Sequence, residues 1–254
     1  MSEFFKFLAW KLLVSIEYEI AFVKGGAGKA SMEFDLHTHT SQGSACSRMS
    51  ISELIQAACE RGLDGVCITD HDYGWDPQEL AKYSRESGIQ VYGGIELSTS
   101  VGEILIYGVH QSLLHLREDL PALVGFIREQ RGVMVAAHPF REDFALSVFS
   151  REERGLEPIE IEKMCRRPLF DYVDALEVYN GRSNWREING AKEAARILGK
   201  KGTGGSDAHS ILSVGSCITV FADPVENEVQ LVGQLLAGRI QAKKKEVAEN
   251  VLGM

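Results

Sequence analysis

The chain has little of what would staple a small secreted domain or anchor one in a membrane. Its five cysteines, Cys46, Cys59, Cys67, Cys165 and Cys217, are an odd number, scattered, with no C-x-x-C pair. That usage excludes a disulfide framework and points to a reducing, cytoplasmic compartment. Cys59 and Cys67 fall in apolar periodic segments, where a free thiol acts as a small hydrophobe. No long apolar run is uninterrupted: residues 4–23 are broken by Lys6, Lys11, Glu17 and Glu19, and no small-residue cleavage site follows them. Stable membrane insertion is therefore not expected. A basic surplus is also missing. With 27 Lys and Arg against 36 Asp and Glu, the net charge is -9, so the chain lacks the footprint of a protein that grips long nucleic acid. A local basic pocket for one phosphate remains compatible with that balance. Residues 24–31, KGGAGKAS, lack the phosphate-loop spacing, and Ser206 sits in G-G-S-D instead of the G-x-S-x-G of an acyl-transfer nucleophile.

What is present suits one α/β domain of 254 residues, 44% hydrophobic and 25% charged. Residues 1–31 stand apart, as an appended amphipathic helix or as a reading frame whose natural start is Met32. From Met32 to residue 254, short β-branched runs alternate with helical patterns. Strands are predicted at 33–37, 65–69, 90–93, 103–109, 133–137 and 175–179. Ser50-Ile-Ser-Glu53 opens a helix closed by Gly62, and Asp76-Pro77 opens the next. Further helices are predicted over 117–130, 185–198 and 229–237. Residues 141–170 break the rhythm and read as an insertion over one end of the fold, either a solvated excursion or a substrate lid.

The chemistry lies in where the histidines fall. His37 and His39 follow the first strand, Asp70 and His71 the second, Glu96 the next, His138 the VMVAA strand, and Asp207 and His209 a glycine-rich turn. These are strand-to-helix handovers, which converge on one mouth in a β/α barrel. Neutral imidazoles with carboxylates suit Zn, Mn or Fe. In H-x-H, strand alternation turns both rings to one side, so His37 and His39 can grip one ion. The ligands are too many for one tetrahedral site, and a carboxylate such as Glu96 can bridge two ions. His115 matches nothing and reads as structural.

His37-Thr-His39, Thr69-Asp70-His71, Ala137-His138-Pro139 and Gly205-Ser-Asp207-Ala-His209 resemble the four motifs of the PHP (polymerase and histidinol phosphatase) superfamily. Gly94-Ile-Glu96 and Glu177-Val-Tyr-Asn-Gly181 resemble its smaller, stand-alone phosphoesterase branch. The resemblance implies a distorted seven-stranded (β/α) TIM-like barrel with a metal site at the C-terminal strand ends. It implies two or three divalent ions (Mn, Zn or Fe). His37, His39, Glu96 and Asp207 would hold the first, Glu96 and His138 the second, and His71 and His209 a third, with Asp70 orienting the ligands. The chain departs from the pattern twice. Ser44 and Ala45 stand where relatives carry a third-site ligand, leaving Cys46 one position beyond as a substitute or an ordinary loop thiol. Glu103, or alternatively His110, stands in for the histidine that completes the second site.

The implied activity is hydrolysis of phosphate esters by a metal-activated hydroxide. Arg141 and Arg182 are the candidate phosphate clamps, and His209 or Asp207 the candidate proton donor. The expected substrate is a small phosphorylated metabolite, a nucleotide or a short oligonucleotide end; oligomeric state is left open. Two alternatives stand beside this reading. One is a degenerate metal- or phosphate-binding scaffold. The other is an amidohydrolase-type C–N hydrolase, for which no bridging lysine appears at a strand end.

Overall fold

The computed structural model describes residues 31–141 and 158–245. Residues 1–30 of the leader, and residues 142–157 of the expected insertion, lie outside the described residues. Among those described, nine strands form one sheet in the order β7-β6-β5-β4-β3-β2-β1-β8-β9. Strands β1 (Met32–Thr38), β2 (Gly65–Ile68) and β3 (Gln90–Thr99) run parallel, as do β5 (Val133–Ala136), β6 (Ala175–Asn180) and β7 (Lys201–Gly205). Strand β4 (Gly102–Tyr107) is antiparallel to β3 and β5, β8 (Cys217–Phe221) to β1, and β9 (Ile240–Lys244) to β8. The sheet curls until the chain leaving β7 meets β1. There the Asp207 N–H donates to the His37 carbonyl at 2.7 Å, and the His39 N–H to the Ala208 carbonyl at 2.9 Å.

The fold is thus the α/β, nearly closed barrel that was expected, with two corrections. The sheet has nine strands of mixed direction in place of seven. Only Ser100 and Val101 separate β3 from β4, and so short a connection reverses the chain. Glu96 consequently lies inside a long hairpin strand and not at a strand-to-helix handover.

The helices start where local chemistry allows. Helix α1 (Ile51–Glu60) opens on the Ser50–Glu53 capping box, and α2 (Pro77–Ser87) on an Asp76 cap with proline in its first turn. Helix α3 (Leu120–Glu129) is preceded by a separate 3₁₀ turn at Leu114–Leu116, in which His115 is exposed. Helices α4 (Pro158–Met164) and α5 (Leu169–Tyr172) occupy the described remainder of the expected insertion. Helix α6 (Trp185–Leu198) is capped by Asn184, which accepts from the N–H groups of Arg186 and Glu187 at 2.9 and 3.2 Å. Asn184→Ala should cost about 1 kcal/mol, the usual worth of an N-cap. The measurement is a lower urea midpoint with an unchanged slope. Helix α7 (Glu228–Ala237) follows β8, and no described helix is long and apolar enough to cross a membrane.

One buried cluster joins Phe34 and Leu36 of β1 with Tyr107, Val135, Phe221 and α7 residues Leu231 and Leu235. Within it Phe34 packs edge-on against Phe221 at 5.2 Å, and the Tyr107 hydroxyl donates to the Leu36 carbonyl at 2.8 Å. Of the two cysteines assigned to apolar segments, Cys67 is buried in this cluster, whereas Cys59 is exposed on α1.

Candidate metal centre

Local irregularities aim the candidate ligands. Against β2, strand β1 slips register by one residue between Asp35 and Thr38. Adjacent residues therefore serve different ends: Leu36 stays in the core while the His37 ring enters the site. Strand β6 slips likewise against β7 between Glu177 and Tyr179. Extra residues of this kind bend a strand and re-aim a side chain beside active sites. Two candidate ligands also sit at positive φ, His138 at 27° and Asp207 at 54°, where a non-glycine backbone is strained. Both are held there by their own N–H groups. That of His138 donates to Glu177 Oε2 at 2.9 Å, and that of Asp207 to the His37 carbonyl.

Glu96 is the hub. Its Oε2 lies 3.2 Å from His37 Nε2, 3.2 Å from His39 Nε2 and 3.3 Å from His71 Nδ1. Its Oε1 lies 2.9 Å from His138 Nε2, which is itself 3.4 Å from Glu103 Oε2. Asp207 Oδ1 is 3.8 Å from His37 Nε2 and 3.4 Å from both His39 Nε2 and His209 Nδ1. The two H-x-H nitrogens are 3.1 Å apart, as same-side rings require. Ligand bonds of 2.0–2.2 Å put tetrahedral ligand atoms roughly 3.3–3.6 Å from one another. The separations between these atoms bracket that range, so the donor set fits a divalent ion without rebuilding. Compact groups capable of sharing an ion are His37–His39–Glu96, His37–His138–Asp207, His39–His71–His209 and His71–Glu96–Glu103.

The electrostatics point the same way. Burial opposes ionisation of Glu96, yet the rings of His37, His138 and His39 hold its carboxyl well below the ordinary range. Burial also opposes ionisation of Asp207, and His37, His39 and Arg141 overcome it. Burial lowers His37, but Glu96, Glu177 and Asp207 raise it well above its ordinary value. Glu96, Glu177 and Asp207 are nearly inaccessible to water. Such a pocket calls for concentrated positive charge, which a divalent cation supplies while leaving the imidazoles neutral as donors.

The remaining candidates fall as follows. Arg141 Nη2 donates to Asn180 Oδ1 at 2.8 Å and to Asp207 Oδ2. Arg182 Nη1 lies 3.9 Å from Asp207 Oδ1 and 3.5 Å from the His209 ring nitrogens. Glu103 reaches the cluster, while His110, beyond the far end of β4, pairs with Glu228 at 2.8 Å. Asp70 accepts from the Thr40 N–H, the Thr40 hydroxyl and Trp75 Nε1 at 2.7, 2.6 and 2.9 Å, locking the loops after β1 and β2 together. Cys46 is exposed and belongs to none of the ion-sized groups among the described residues. Ser206 has its hydroxyl on the His37 carbonyl at 3.4 Å.

Three supporting residues had no role assigned from sequence. Ser44 sits 3.3 Å from His39 Nδ1 and accepts from the His71 N–H at 2.9 Å. Asp35 accepts from the N–H groups of Ser206 and Gly215 at 2.8 and 2.7 Å, and burial pushes its carboxyl up to about 6. Glu177 backs His37. Its signal was legible as the one charged residue of the strand ALEVYN.

A PHP domain model matches residues 35–158, and a PHP-associated model matches residues 185–240. Together these spans include every candidate ligand. An uncharacterised protein of Methanocaldococcus jannaschii is 31% identical over 125 residues, covering 43% of this chain and 68% of that one. Among solved structures, PsfC from Pseudomonas syringae is 20% identical with a TM-score of 0.55, covering 86% of this chain and 93% of that one. A two-domain protein from Bacteroides vulgatus containing a predicted PHP-like metal-dependent phosphoesterase is 16% identical with a TM-score of 0.57. That match covers 86% of this chain and 70% of the other. At such identities the likeness to both structures is one of fold.

Proposed function

From the premise that this chain belongs to the PHP domain family, we propose that it is a metal-dependent phosphoesterase acting on a small phosphorylated metabolite, a nucleotide or a short oligonucleotide end. The observation that carries this reading is the convergence on Glu96 of four imidazoles from three segments of the chain, those at the ends of β1, β2 and β5. His37, His39, Glu96 and Asp207 would hold one ion, Glu96, His138 and Glu103 a second, and His71 with His209 any third. When bound, such ions supply Lewis-acid charge to the phosphoryl group and make water a nucleophile near neutral pH.

The chain's own groups supply the rest. Arg141 and Arg182 border Asp207, so a phosphoryl group drawn to that side meets two guanidinium forks suited to its non-bridging oxygens. Asp207 is held ionised, which suits a ligand better than a proton donor. His209 Nδ1 lies 2.9 Å from the Asp207 carbonyl, leaving Nε2 as the nitrogen for an ion or for a proton passed to the leaving oxygen. Asp70 keeps the loop of His39 and the loop of His71 at fixed separation.

The test compares a phosphomonoester, a nucleoside bisphosphate and circular single-stranded DNA in one Mn²⁺ buffer. Turnover of the small esters with the circle intact is expected. Efficient cutting of the circle, which has no ends, would overturn the substrate class while sparing the metal chemistry. Absence of turnover on all three would favour the scaffold reading, and absence of Mn²⁺ or Zn²⁺ uptake would overturn the metal mechanism.

A further inference from the structure

We propose that Glu177 is a positioning residue that fixes which nitrogen of His37 faces the ions. The inference rests on the metal-centre reading above. Glu177 lies on β6, is 2% exposed, and divides its two oxygens between two tasks. Oε1 is 3.0 Å from His37 Nδ1. Oε2 accepts from the His138 N–H at 2.9 Å and from Asn180 Nδ2 at 3.0 Å. One carboxylate thereby joins a ligand of β1 to the strained backbone of the ligand after β5. Through Asn180, whose amide also lies 3.4 Å from Asp207 Oδ2, it reaches the ligand after β7.

The geometry shows that the place is kept for this carboxylate. A Cβ at Gly205 would stand 2.7 Å from Glu177 Oε1 and 2.4 Å from His37 Cβ, so glycine there keeps both side chains in place. An imidazole whose Nδ1–H donates to a carboxylate presents an unprotonated Nε2, and Nε2 is the atom aimed at Glu96, His39 and Asp207. Such outer partners fix the tautomer and raise the basicity of a ligating histidine.

The two tasks make glutamine a discriminating replacement. Its amide has one acceptor oxygen where the carboxylate has two. Two donors, the His138 N–H and the Asn180 amide, face Oε2, so the glutamine oxygen belongs there and its NH₂ is turned toward His37 Nδ1. His37 must then accept at Nδ1 and carry its proton on Nε2, which removes it as a ligand. The side chain's volume and its contact to the His138 N–H after β5 are kept.

The experiment titrates the chelator-stripped full chain and its Glu177→Gln variant with Zn²⁺ against a chromophoric competitor. It adds the Co²⁺ absorption spectrum and the urea midpoint of each stripped protein. The proposal expects affinity at one site to fall about 10- to 100-fold, with a changed Co²⁺ spectrum and stripped-protein midpoints that agree. Equal Zn²⁺ affinity and spectrum in the two proteins would overturn the positioning role and leave the metal centre standing. A loss of affinity matched by a comparable loss of midpoint would overturn it too, by making Glu177 a structural residue. Failure of the unsubstituted protein to take up Zn²⁺ or Co²⁺ would instead overturn the metal centre, and this inference with it.

Discussion

His37→Ala combined with His39→Ala is expected to remove one ion per chain and to lower phosphoesterase turnover at least about a thousandfold. A bound ion contributes several kcal/mol of transition-state charge stabilisation, and each 1.36 kcal/mol is tenfold in rate. Both rings are fully buried, and each faces Glu96 and Asp207. Their removal also leaves acidic groups close together with less to offset them, so the fold must be checked alongside activity. Elemental analysis counts the ions, and circular dichroism reports the fold. A single His39→Gln variant, closer in volume, serves if the double variant does not fold. Retention of full metal content and turnover in a folded variant would contradict the assignment.

Arg141→Ala should reduce kcat/KM by about 10²- to 10³-fold, the usual effect of deleting one preorganised donor to a developing anion. Arg182→Ala should cost less. Its side chain is 55% exposed, against 29% for Arg141, and solvent screens it more. Arg141→Lys separates charge from shape, because lysine keeps the cation but loses the planar fork. Metal content is the essential control, since Arg141 also braces Asp207 Oδ2. Loss of metal in Arg141→Ala would place this arginine on the ligand set and not on substrate.

The sequence was most legible where function is written in residue type and short spacing. The Ser50–Glu53 box, the Asp76-Pro77 start and the span 185–198 were found where expected, because each depends on a few neighbouring atoms. The eight candidate ligands lie close together in space: six sit at or just past the ends of β1, β2, β5 and β7, which share a mouth, and the β3–β4 hairpin brings in Glu96 and Glu103. Direction and register were less legible. GEILIY reads alike in either sense along a sheet, and only the two-residue link at Ser100 and Val101 betrays the reversal. The slips in β1 and β6 leave no trace in composition, yet they let Leu36 and His37 serve different ends. Strand β9, IQAKK, is polar and largely uncovered, so its apolar signal is faint. Glu177 was visible as a residue but not as a partner, since its contacts lie 140 and 39 residues earlier in the chain.

The sheet order also sets a timetable for synthesis. Strand β1 pairs with β2, some thirty positions on, but its other neighbour, β8, is nearly two hundred residues later. A ribosome must therefore extrude most of the chain before that flank of β1 can be covered. Non-local closure of this kind is slow and leaves an unpaired edge as a template for misassociation. The His37–Asp207 seam closes in the same late step, so ion capture should trail secondary-structure formation. Stopped-flow refolding that follows far-ultraviolet ellipticity beside a Zn²⁺ indicator should resolve two phases, with the indicator signal second. Simultaneous phases would mean that the mouth assembles before the barrel shuts.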